Sequence, residues 1–308
     1  MARSRLLLAV LAAFAATAGI VSGQPLAGSE AIHHIHGLAL DRKDPEIIYV
    51  ATHTGLVKLA PRATPEWLGS HRFDLMGFTA HPGDANVMYA SGHPDLATYR
   101  QEGVGNLGLL ISHDGGRTWR SVALKGEADF HALALSPRDG GELYGWSVAG
   151  RVGLYRISTK TRASERLNPR GLSEVMALAA SPDGSGILLA GTASGLLVSR
   201  DRGSIWSLTG FPHRAPVTAV AYHVSDPARV YAYADRAGAG LAGSRDAGKT
   251  WQPTGFFAGQ GTPAVALAVG PGGHVAVATA GADVTRSRDA GRTWETVVRR
   301  GRPVAGGR

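Results

Sequence analysis

Eight residues, 287–294, read Ser-Arg-Asp-Ala-Gly-Arg-Thr-Trp, and the pattern S-x-D-x-G-x-T-W recurs. It returns at 244–251 as SRDAGKTW, at 112–119 as SHDGGRTW and at 199–206 as SRDRGSIW, where Ile205 takes the Thr position. The starts at 199, 244 and 287 lie 45 and 43 residues apart, and the gap from 112 to 199 is 87, about two such steps. A period of this length, with strand-like runs between the copies, limits the chain to a repeat architecture in which each repeat is one supersecondary unit. The motif suits a tight turn. Its Asp and Ser side chains can accept bonds from turn N–H groups, its Gly supplies a positive φ, and its Trp gives each unit apolar surface to bury.

Between the copies a common grammar runs six times. Each unit opens on an apolar strand with small residues at its second and fourth positions, as in His36-Gly37-Leu38-Ala39-Leu40 and His131-Ala132-Leu133-Ala134-Leu135. A Pro/Asp/Gly turn follows, then a second strand that often centres on Tyr (Tyr49, Tyr89, Tyr144, Tyr231), a third strand, the motif and a fourth strand. The expectation is an all-β six-bladed β-propeller of four-stranded antiparallel blades, with Asp-box turns, over residues 33–300. Blade 1 keeps only the motif Trp, as Trp67, and blade 3 has lost the motif. The longest insertion, 92–106, falls between the second and third strands of blade 2. The segment 24–32 is a lead that can add a strand to blade 6, and 301–308 is a basic tail.

The four copies resemble the Asp-box (BNR) repeat of sialidases, sortilin-type receptors and related propellers. In that family the box sits on the turn between the third and fourth strands of a blade. The resemblance to sialidases stops at the site, because no arginine stands where their arginine triad binds a substrate carboxylate.

Residues 1–23 read as a signal peptide: Arg3 and Arg5, then an apolar run, then Val21-Ser22-Gly23 for cleavage. Export to the periplasm or the exterior follows, with no membrane span after cleavage; an uncleaved anchor is the alternative, on a run that is short for a span. The chain has no cysteine. Its core must hold without disulfides, and any metal site must use His, Met and carboxylates. Net charge is +8, without a basic run interleaved with aromatics, so nucleic acid is not the expected partner.

The motif gives the register for comparing blades on the rim opposite it. Two residues before each inner-strand core stand His34, Asp74, Asp129, Glu174, Pro216 and Pro263. The next column is His36, Met76, His131, Met176, Thr218 and Val265, and at the end of the second strand come His53, His93, Val148, Ala193, Asp235 and Ala280. Ligand-type residues crowd blades 1–4, and nine of the twelve histidines lie at or before His131. The expected site is therefore a transition-metal centre drawn from His34, His36, His53, His93, His131, Met76 and Met176. Copper is favoured over zinc, because imidazole and thioether without thiolate suit it better. Asp74 or Asp129 would orient a ligand histidine from behind.

Two other functions fit the same chain. A glycosyl hydrolase would use Asp74, Asp129 and Glu174 as its carboxylates, with Trp146 stacking on a sugar. A non-enzymatic binding or assembly scaffold would use its rim surfaces and the 92–106 insertion to hold a protein partner.

Overall fold

The computed structural model describes residues 24–26, 30–137, 141–212 and 214–304. The signal-peptide reading of 1–23, the residue His213 and the end of the basic tail lie outside them. The fold is a six-bladed β-propeller of antiparallel sheets. Blade 1 is built from β2 (Ile35–Leu40), β3 (Ile48–Thr52), β4 (Gly55–Leu59) and β5 (Glu66–Leu68). Blade 2 follows with β6 (Asp74–Ala80), β7 (Met88–His93), β8 (Leu109–Ser112) and β9 (Arg120–Ala123), and blade 3 with β10 (Ala128–Ser136), β11 (Glu142–Gly150), β12 (Gly153–Ser158) and β13 (Ser164–Arg166). Blades 4, 5 and 6 open on the inner strands β14 (Val175–Ala180), β18 (Val217–Tyr222) and β22 (Ala264–Val269).

The core is divided into six clusters, one at each seam between neighbouring blades. Strand alternation produces this. In β7, Met88 and Ala90 face the blade 1 seam while Tyr89 faces the blade 3 seam, because successive side chains point to opposite faces of a sheet. Alanines such as Ala39, Ala132, Ala134 and Ala219 are buried on the inner strands, where neighbouring blades converge and leave little room.

The repeated motif forms the turn between third and fourth strands in blades 2, 4, 5 and 6. In the last copy Asp289 Oδ1 accepts from the N–H groups of Arg292 and Thr293, and Oδ2 accepts from Thr293 Oγ1 at 2.7 Å. Ser287 Oγ accepts from Gly291 N, and Trp294 Nε1 donates to Gly291 O at 3.0 Å. These bonds favour the carboxylate, and Thr293 Oγ1 leads in holding the Asp289 carboxyl far below its usual range. The carboxylate is consumed by its own turn. In blade 4, Ile205 breaks the pattern: Asp201 keeps its backbone bonds and loses the hydroxyl bond.

The ring closes differently from the expectation for the lead segment. β1 (Gln24–Pro25) pairs with β5 on the outside of blade 1, not with blade 6. Every blade is contiguous in sequence, and the seam between blades 6 and 1 is closed by side-chain packing together with a main-chain bond. Ile32 is fully buried there among Ile35, Leu38, Ala266 and Val298, and its N–H donates to Gly301 O at 2.7 Å. At the motif rim of the same seam, Glu46 of blade 1 accepts from Arg288 Nε and Nη2 of blade 6 at 2.6 and 2.8 Å, and sits 3.0 Å from His274 Nε2. The insertion in blade 2 carries one short helix, α1 (Leu96–Glu102), started by Asp95 Oδ1 accepting from Thr98 N and ended by Gly103 at φ 68°.

Candidate metal centre

All six inner strands bear a β-bulge near their outset, opposite the second strand. In blade 1, Ile35 pairs with Thr52 and Gly37 with Ala51, which leaves His36 as the extra residue. Met176 is the extra residue between Val175 and Ala177. The shift falls between Leu75 and Phe78 in blade 2, around Met76, and between Phe130 and Ala132 in blade 3, around His131. A bulge re-aims the side chain it carries. Here it turns His36, His131 and Met176 onto the wall of the central channel.

Asp74 is the pivot. It opens β6 directly opposite His93, the last residue of β7. That pairing needs a glycine beside it: Gly92 has φ 142°, and a Cβ there would lie 1.7 Å from the Asp74 carbonyl oxygen. The Asp74 side chain is 11% exposed, and its Oδ2 lies 3.0 Å from His53 Nδ1 and 3.2 Å from His93 Nδ1. Its Oδ1 stands 3.6 Å from His36 Nε2, too far for a hydrogen bond. Both atoms are buried, and neither has a hydrogen-bond partner among the described residues.

From His93 the network continues into blade 3. His93 Nε2 is 3.3 Å from Asp129 Oδ2, and His131 Nε2 is 3.0 Å from the same oxygen. Burial pushes the Asp129 carboxyl up, but bonding and charge from His131 and His93 outweigh it, and the net displacement is downward. Two serines that sequence comparison did not single out hold this strand in place. Ser147 Oγ accepts from Asp129 N at 3.1 Å, and Ser91 Oγ of blade 2 accepts from Phe130 N at 3.0 Å. Their signal was a serine near the end of the second strand in blades 2 and 3.

His36 is the most perturbed base of the group. Burial lowers its pKa from the ordinary 6.5 to about 4, against the attraction of Asp74 and with the help of the neighbouring His53, His131 and His34. A neutral imidazole with a free nitrogen is the ligand form. His36, His53 and Asp74 each offer one ligand atom, all within 4.8 Å of one another. Two atoms each about 2.1 Å from one ion stand about 3.0 Å apart at the right angle of a tetragonal Cu(II) site and about 3.4 Å apart at the tetrahedral angle. The 3.6 Å between His36 Nε2 and Asp74 Oδ1 lies a few tenths of an ångström outside that range, within reach of a small side-chain rotation.

The other residues singled out from the sequence fall into two groups. His34 has φ 48° and stands with its ring 5.5 Å from that of His53, at the edge of the cluster. His93, Asp129 and His131 form the second half of the network, beyond the three-residue group. Met176 is 43% exposed on the channel wall. Met76 is half-buried and, unlike Met176, does not line the channel wall. Glu174, at φ 51°, is exposed and is not brought to the two aspartates. Trp146 packs against the seam between blades 3 and 4.

No protein-family model and no curated protein sequence matches this chain. Solved structures do. An ancestral GH74 enzyme aligns over 90% of this chain and 40% of its own, at 15% identity and a TM-score of 0.55. The extracellular domain of a one-component system of B. thetaiotaomicron aligns over 90% of this chain and 34% of its own, at 12% identity and a TM-score of 0.54. This chain thus spans 34–40% of the length of those two proteins. What it shares with them is the propeller fold.

Proposed function

We propose that this protein is an exported Asp-box propeller that binds one divalent transition-metal ion at the channel rim, between blades 1 and 2. His36 Nε2, His53 Nδ1 and Asp74 would hold the ion, and His93, Asp129 and His131 would orient Asp74 from behind. The observation that carries this reading is the pair of buried, unpartnered atoms His36 Nε2 and Asp74 Oδ1, which face each other at 3.6 Å. Leaving two such atoms without partners is costly, and a shared cation removes the cost. Copper(II) is the ion favoured. Imidazole and carboxylate donors suit it, and affinity along the divalent series peaks there.

The test is metal uptake by residues 24–308, purified and offered Cu(II) and Zn(II) in turn. One tightly held copper per chain, absent from the Asp74→Asn and His36→Ala variants, is the expected result. A protein that retains neither metal after gel filtration overturns the reading. Glycoside hydrolysis has less support. It asks for a carboxyl kept protonated near neutrality, whereas the Asp129 carboxyl is held below its ordinary range and Glu174 is not drawn into the cluster.

A further inference from the structure

The central channel, about 210 Å³, is walled by the six inner strands, and its two ends differ in chemistry. One end carries His36, His131 and Met176. The other, on the rim of the repeated turns, carries Arg42, Pro82, Pro137, Pro182 and His223. Among the described lining residues Arg42 alone has a permanent charge. It lies six residues beyond His36 along the same strand and turn, about 20 Å away for an extended chain, so it is separate from the metal centre.

The Arg42 guanidinium is half-buried and nearly unpartnered. Its Nε donates to His81 O at 3.3 Å. It makes no ion pair, and neither Nη has a hydrogen-bond partner among the described residues. The neighbouring polar groups are already engaged. Asp41 Oδ1 accepts from Lys43 N and Asp44 N, and its Oδ2 accepts from Tyr49 Oη at 2.9 Å. His81 Nδ1 accepts from Gly83 N and Asp84 N, and His223 Nδ1 accepts from Ser225 N. Burial lowers the Arg42 pKa, and Asp41 only partly offsets it. The Nη donors are not buried, so the outer edge of this half-buried guanidinium is open to an incoming anion. Its planar fork matches a carboxylate or a phosphate through two parallel bonds.

We propose that the turn-side mouth of the channel is a binding site for a small oxyanion, a carboxylate or phosphate group, held by the guanidinium fork of Arg42. The three prolines lining that mouth limit the site to a small group or the end of a larger one. Asn or Gln would serve there only as weak donors, and Lys would supply charge without the fork.

The experiment is calorimetric titration of residues 24–308 with sodium phosphate and, separately, sodium acetate, with sodium chloride as the ionic-strength control. The Arg42 Nε–Hε resonance is followed by NMR alongside. Saturable binding of either oxyanion with a shift of that resonance is expected. Affinity should fall at least about tenfold in Arg42→Gln and drop clearly in Arg42→Lys, while Arg292→Gln, at an exposed arginine of the last repeated turn, binds as the unaltered protein does. Should Arg42→Gln fail to fold, Arg42→Lys decides alone, because it keeps the charge. Absence of saturable binding, an equal response to chloride, or unchanged affinity in the Arg42 variants overturns the proposal.

Discussion

His36 Nε2 and Asp74 Oδ1 face each other at 3.6 Å across the seam between blades 1 and 2, both buried and both without a hydrogen-bond partner among the described residues. The distance is set by two backbone devices. The bulge at His36 turns its ring toward the channel, and the Gly92 turn lets β7 close on β6 beside Asp74.

Metal should stabilise the folded chain. Free Cu(II) at about 100 times the dissociation constant adds about 2.7 kcal/mol, which for a domain of this size raises Tm by roughly 5–10 °C. Asp74→Asn should melt at the same temperature with and without copper. An equal rise in both proteins would mean that the ion binds elsewhere.

The metal-free protein should lose stability as acid is added, through His36. Its pKa falls from 6.5 in the unfolded chain to about 4 in the folded one. Between these values the unfolded chain binds a proton that the folded chain refuses. The contribution is complete above pH 6.5 and lost as pH falls to about 4, with an upper bound of about 3 kcal/mol. Urea midpoints measured across this window should fall less in His36→Asn than in the unaltered protein. Parallel curves for the two would contradict the assignment.

Glu46 should clasp the ring. Bonding from Arg288 leads in pulling its pKa down to about 2; burial opposes, and His274 and Arg286 add to the pull. The group is depressed, so its contribution is present above pH 4.5 and lost as pH falls toward 2. Glu46→Gln should cost about 1–3 kcal/mol at neutral pH, after discounting for its partial exposure. The difference should vanish near pH 2. A neutral-pH Tm unchanged by the substitution would show that the apolar seam around Ile32 closes the ring alone.

His131 should act on the metal only through the chain Asp129, His93 and Asp74. His131→Ala is expected to weaken copper binding by no more than about tenfold, the low end for a partner bonded directly to a ligand, while Asp74→Asn abolishes it. Competition with a chelator measures both. Equal loss in the two variants would make His131 a direct ligand.

The blade grammar was legible because it is local. A turn that satisfies its own carboxylate, as Asp246 does with Thr250 N and Oγ1 and Lys249 N, needs nothing from the rest of the chain. Its spacing therefore carries the blade count and the register. The columns drawn from that register contained His36, His53, Asp74, His93, Asp129 and His131, all of which meet in one network. They also contained Met76, which does not line the channel wall as Met176 does, and Glu174, which is exposed, because a shared column fixes height on the rim and not the direction a side chain takes.

By itself, then, the sequence determined the repeat, the four-stranded blades and the rim on which polar residues gather. Tertiary structure decided the rest. Bulge geometry chose which column residues turn inward, Gly92 and the serines Ser91 and Ser147 set how closely blades 2 and 3 approach the cluster, and side-chain packing around Ile32 and Glu46 closed the ring. The physical reason is range. Turn bonds act within a few residues, whereas a ligand cluster and a closed ring depend on contacts between blades, such as Glu46 with Arg288, that lie far apart in the chain.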